Sequence, residues 1–251
     1  MEYLNIEQGR AASGLRLVLT KGMPGPWAEA AKAIFNVKDI DFSPIEQIAA
    51  QPNDELQKWT GQTTAPVAVY NDEPVRYSWL DILMLAERLA PLPALLPSQM
   101  ESRALVIGLC REIAGEDGLG WNRRLLMLAP AMAMEEPPQE MQRMADKYGW
   151  SDAAGKAAAN KLKDILDGFT LRLRQAKSPY VVGDELTAAD IFLANFMGMF
   201  KPLSPELNPM PEFLRKLYSA TIPEIESHLS PELFAHRDQM YAEHLPTPLQ
   251  F

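Results

Sequence analysis

Residues 91–97 read PLPALLP. Three prolines in seven positions rule out an ordinary helix, because each lacks an amide hydrogen and clashes with the preceding turn. The stretch therefore predicts a connector, and the pattern differs on its two sides. Before it, Leu15–Thr20 (LRLVLT) predicts a strand, broken at 21–26 by KGMPGP. Pro26 suits the first turn of a helix over WAEAAKAIF. Residues 36–42 (NVKDIDF) alternate and predict a second strand, and 53–59 a short helix or turn. Pro66–Tyr70 and Pro74–Tyr77 flank Asn71-Asp72-Glu73 and predict a hairpin. Ser78 then caps a helix with Ile82, Leu83, Leu85, Ala86 and Leu89 on one face. This order over 15–90 predicts an α/β layer on a mixed sheet. Beyond the connector, 98–230 reads as an all-helical domain. Helices are expected from Ser98, over WNRRLLMLAPAMAM, from Asp152 to Ala176, after Thr187, and from Pro211 and Pro223. Residues 1–14 read as a loose polar arm and 231–251 as a proline-punctuated tail.

The chain of 251 residues carries a net charge of -9. That argues against nucleic-acid binding, which needs a basic face, but leaves room for a local basic pocket for a small anion. A single cysteine, Cys110, excludes an internal disulfide and a cysteine-rich metal site. His228, His236 and His244 are eight apart, not at the i, i+4 spacing of a helical zinc site, and are expected to face solvent. No metal is expected. No signal peptide or membrane-spanning run is evident, so a cytoplasmic protein is expected.

Tyr180–Phe196 reads YVVGDELTAADIFLANF. Thr187 and Asp190 form a capping box, with aspartate replacing the commoner glutamate, at the start of a nearly all-apolar helix. A buried helix cannot use water for its first N–H groups, so the pair is read as structural, with a lost cap costing about 1 kcal/mol. The stretch from Tyr180 to Ile191 resembles the glutathione transferase signature, in which an aromatic-X-X-Gly-Asp loop leads into S/T-x-x-D. The strand and helix order, Ala65-Pro66, the hairpin with Ser78, and the proline-rich connector fit the same superfamily. The resemblance covers roughly residues 13–228. It implies a thioredoxin-like N-terminal domain followed by an all-α helical-bundle C-terminal domain, and a homodimer.

The resemblance also implies a site. Glutathione is expected as co-substrate, its thiolate stabilised by a donor after the first strand. That segment, 20–27, holds no Ser, Cys or Tyr. Thr20 is its only hydroxyl; it either serves the thiolate or simply ends the strand, and Lys21 or main-chain N–H groups at the helix start are the other candidates. Ala65, before a cis-proline at Pro66, would pair with the cysteinyl backbone. Ser78 would meet the γ-glutamyl carboxylate at a helix N-terminus, with Tyr77 where the family carries an acid or glutamine. Thr64 is within reach of a peptide carboxylate. In the helical domain, Trp121 and Arg124 are candidates for a pocket taking an apolar or aromatic electrophile; Arg123 and Arg124 are alternatively expected to pair with Glu112 or Glu116 or to lie on a solvated face. The other reading is a non-catalytic binding protein on this fold that has lost thiol activation.

Overall fold

The computed structural model describes all 251 residues. Strand β1 (Leu15–Thr20) lies between β2 (Ser43–Gln47) and β3 (Val67–Tyr70). It runs parallel to β2, with Val18 opposite Ile45, and antiparallel to β3, with Leu17 opposite Ala68. Alternation along β1 serves two cores. Leu15, Leu17 and Leu19 face the main core, which holds Ala30, Ile34 and Phe35 of α2 (Pro26–Val37). Val18 joins Ile45, Val67 and Val69 on the other face, against Leu56 of α3 (Asp54–Thr60). Helix α4 (Trp79–Leu89) starts at Ser78, which accepts from the Asp81 N–H at 3.0 Å.

The connector carries no helix or strand, and Leu95 and Leu96 are buried in it. Lys38 pins it: Nζ donates to the carbonyls of Ala90 and Pro93 at 2.6 and 2.7 Å and pairs with Glu87 at 2.7 Å. The helical half follows as α5 (Met100–Ala114), α6 (Leu119–Met132), α7 (Gln139–Lys147), α8 (Asp152–Gln175), α9 (Ala188–Met197), α10 (Glu212–Ser219), α11 (Pro223–Glu226) and α12 (Pro231–Glu243). Every residue of α9 is buried, and it packs on α2, α5 and α12. One apolar core thus runs through both halves. No helix is long and apolar enough to cross a membrane.

Thr187 and Asp190 build the predicted box at the start of α9. Asp190 Oδ2 accepts from the Thr187 N–H and hydroxyl at 2.9 and 2.8 Å, and Oδ1 from the Val181 N–H at 2.7 Å. The Ala188 N–H is answered by the Leu95 carbonyl at 2.9 Å.

Several expectations are corrected. The second strand is at 43–47, not 36–42; residues 36 and 37 continue α2. Pro44 is tolerated because β2 is an edge strand. The return of the hairpin is a single bridge, Ala68 to Arg76, rather than a strand. The N-terminal arm is ordered: α1 (Ile6–Ala11) packs on β2, so closely that a Cβ on Gly9 would strike Ile45. The tail contains α12, which covers α9. His236 is therefore buried, not solvent-facing, and its Nε2 lies 3.0 Å from Asp190 Oδ1.

Cys110 is fully buried, and burial pushes its thiol far up from the ordinary range. Since the thiolate is the reactive form, Cys110 is expected to resist a thiol-specific reagent in the native protein and to react fully in denaturant. Prompt labelling of native protein would contradict its place in the core.

Candidate functional site between the two halves

Two adjoining cavities, of about 200 and 250 Å³, lie between the sheet-bearing half and α6–α7. Trp27, Thr64, Ala65, Lys147 and Tyr148 line both. Thr20, Gly25, Gln47, Arg124 and Tyr218 complete the inner cavity. Pro66, Tyr77, Ser78 and Trp121 complete the outer one. All the cleft candidates named from the sequence therefore come together. Thr187 and Asp190 stand apart, at the head of α9. A wider open depression, about 450 Å³, beside Arg172, Lys177 and Asp184 shares no residue with this cleft.

The Ala65-Pro66 bond is cis. The Ala65 N–H and carbonyl, just before β3, make no bond to another backbone group, which leaves both main-chain groups open beside the cleft. Such a pair suits an extended peptide, which pairs through main-chain hydrogen bonds. Thr20 is less free. Its hydroxyl donates to Gln47 Oε1 at 2.7 Å. The Gln47 amide is oriented by its own donation to the Ile48 carbonyl at 2.9 Å, so its oxygen must face Thr20. Ser78 is likewise engaged, donating to Asp81 Oδ2 at 2.6 Å. Tyr77 is 59% exposed at the outer rim.

The far wall is aromatic and basic. The Tyr148 ring meets Trp121 edge-on at 4.8 Å and lies 6.2 Å from Trp27. Trp27 is fixed by its indole N–H on the Ala114 carbonyl at 2.8 Å and by Phe196, edge-on at 4.8 Å. Gly120 permits this approach, since a Cβ there would clash with the Phe196 ring. Arg124 donates to the Tyr218 hydroxyl at 2.9 Å and lies beside the Tyr148 phenol. Burial raises the Tyr148 phenol, and Arg124 partly offsets this. Lys147 reaches across to Thr64 Oγ1 at 3.0 Å. Loss of water and the Arg124 charge lower its ammonium below the usual range.

Arg124 and Lys147 are the only charged side chains lining the cleft, and no carboxylate lines it. In a chain of net charge -9 this makes the cleft a locally basic pocket. Neither Arg123 nor Arg124 pairs with Glu112 or Glu116. Arg123 is buried, and its guanidinium donates to the carbonyls of Met199, Tyr218 and Ala220 at 3.0, 3.0 and 2.5 Å. Burial, then the Arg124 charge, lowers it to about 10.

Residues 141–232 match the family model described as the glutathione S-transferase C-terminal domain. Solved structures extend the likeness in fold to nine tenths or more of the chain. A glutathione S-transferase from Methylobacillus flagellatus KT, with glutathione bound, is 18% identical; the match covers 90% of this chain and 94% of that one, with a TM-score of 0.61. One from Methylobacterium radiotolerans JCM 2831, in complex with glutathione sulfonate, is 17% identical over 94% and 97%, with a TM-score of 0.61. A glutathione S-transferase domain-containing protein from Marinobacter aquaeolei VT8 is 14% identical over 91% and 98%, with a TM-score of 0.63. The chain has the glutathione transferase fold. Its α/β half is the thioredoxin-like domain and its helical half the C-terminal domain, as the resemblance implied. No curated protein matches the sequence.

Several cleft residues are not marked by the sequence, Tyr218 of α10 among them. Trp27 was assigned only to a helix, and Gln47 fell outside the expected strand. Lys147 and Tyr148 come from α7 and its C-cap, in a stretch where no helix was expected. The sequence does hold a signal there, since Lys147-Tyr148-Gly149-Trp150 places two aromatics and a cation around a glycine.

Proposed function

We propose that this cleft binds glutathione and brings its thiol against an apolar or aromatic electrophile held by the helical domain. The observation that carries the reading is the open Ala65 main chain facing an acid-free wall with two cations. Glutathione is an extended peptide with a net negative charge, so both features suit it. The glutathione and glutathione sulfonate held by two similar structures support the same reading. In the proposal, Ala65 pairs with the cysteinyl backbone where the chain turns at Pro66. Lys147 and Thr64 meet a peptide carboxylate. Tyr77 and Ser78 border the γ-glutamyl end, with Ser78 turning from Asp81 to its carboxylate. Thr20 forms the floor near the thiol. Trp121, beside Trp27, stacks on a flat substrate, and Arg124 adds charge to the inner cavity. The protein works in the cytoplasm as a homodimer; Leu92 and Met100, 79% and 71% exposed beside the connector, offer apolar surface for the second copy.

A second reading, binding without catalysis, is favoured by one observation: the Thr20 proton is committed to Gln47. A conjugation assay separates the two. With glutathione and an activated aryl halide, the enzyme reading predicts turnover above the uncatalysed rate that saturates in both substrates. Saturable glutathione binding with no turnover across a panel of electrophiles would leave the non-catalytic reading.

A further inference from the structure

We infer that Tyr148, from the helical domain, is the hydroxyl that stabilises the glutathione thiolate, with Arg124 beside it as the positioning and polarising charge. This rests on the glutathione reading above and deepens it. A thiolate near Ala65 needs a donor with an uncommitted hydrogen. Thr20 gives its hydrogen to Gln47 and Ser78 to Asp81. Two hydroxyls line both parts of the cleft with Ala65, Thr64 and Tyr148. Thr64 is held by Lys147, which the peptide carboxylate also claims, whereas Tyr148 stands beside the permanent charge of Arg124.

The surroundings support that role. The Tyr148 ring is held between Trp27 and Trp121, which leaves the phenol little freedom to swing away. The charged and titratable groups facing it are Arg124 from α6, Lys147 from α7, and Tyr218 from α10. Arg124 is fixed in turn by donating to the Tyr218 hydroxyl at 2.9 Å. None of these groups is a carboxylate, so nothing nearby opposes a second negative charge. Both cations favour one. The raised phenol stays protonated at neutral pH and remains a donor. In the step, the S–H bond breaks and its proton passes to solvent. The sulfur keeps the electron pair and accepts a hydrogen bond from the Tyr148 O–H. The Arg124 charge stabilises that anion and strengthens the phenol as a donor.

The test is the ionisation of bound glutathione, followed through the ultraviolet thiolate band as pH is varied, with affinity measured separately by calorimetry. Tyr148→Phe keeps the ring in its aromatic packing and removes only the hydroxyl. It is expected to leave affinity within about threefold, to raise the pKa of the bound thiol by about 1–2, and to lower kcat/KM at neutral pH roughly 10–100-fold. Arg124→Gln is expected to raise the same thiol pKa while the Tyr148 hydroxyl remains. Unchanged thiol pKa in Tyr148→Phe with glutathione still bound would overturn the assignment and leave the binding reading intact. Absence of glutathione binding by the unaltered protein would overturn both.

Discussion

Asp190→Ala is expected to lower the unfolding free energy by about 3–5 kcal/mol. The carboxylate is completely buried. It accepts from the Val181 N–H, the Thr187 N–H and the Thr187 hydroxyl, and His236 Nε2 lies 3.0 Å away. Alanine would strand these groups in a region that water does not reach, and each buried donor left unpaired costs about 1–3 kcal/mol. Asp190 also ties three separate segments together: the 180–183 loop, the start of α9, and α12. An exposed N-cap substitution costs about 1 kcal/mol, so the excess over that figure measures the burial. Urea unfolding of Asp190→Ala and Thr187→Ala side by side checks this, with the aspartate variant the weaker by at least about 2 kcal/mol. Equal losses for the two would show that Asp190 acts as an ordinary cap.

Arg123→Ala is expected to cost about 3–4 kcal/mol. No carboxylate balances this buried cation. Its partners are carbonyls at the C-terminal ends of two helices: Met199 just beyond α9, and Tyr218 and Ala220 at the end of α10. Those ends carry the negative pole of the helix dipole and orphan acceptors, so one planar fork serves both. The Phe200 ring, 5.1 Å from the guanidinium, closes its face. Arg123→Lys keeps the charge but loses the fork and is expected to recover less than half of the loss. Because Arg123 holds the Tyr218 backbone while Arg124 holds its hydroxyl, the alanine variant should also disturb the inner cavity. A loss below about 1 kcal/mol on urea unfolding would contradict this account.

The parts legible in the sequence are those with a local cause. LRLVLT alternates, and β1 needs that alternation to face two cores. The proline run breaks any helix, so the connector is visible. Thr187 and Asp190 are three apart because a dry helix start demands it. The illegible parts depend on distant partners. Residues 36–42 alternate, yet 36 and 37 go to the helix, whose buried face Ile34 and Phe35 carry onward, and 38–42 form the turn out of it. The polar helix α7 has few apolar residues and buries only Ala145, so nothing in its local pattern marks Lys147 and Tyr148 as cleft residues. Helix α12 was legible but unread. Leu233, His236, Arg237, Met240 and Tyr241 fall at i, i+3, i+4, i+7 and i+8, a full helical stripe. For the site, the family resemblance marks Ala65 and Ser78 and charge beside a broken helix marks Arg124, whereas the engagement of Thr20 with Gln47 needs the fold.

The central claim is that glutathione lies in the cleft along Ala65, facing Arg124 and Lys147. Calorimetric titration of the purified protein with reduced glutathione tests it most directly. The account predicts saturable binding at millimolar concentration or tighter, weakened about tenfold by replacing Lys147 with alanine, which removes a charge-assisted contact. No heat of binding at cellular glutathione concentrations would contradict it and would mean that the fold has been kept while its peptide ligand has not.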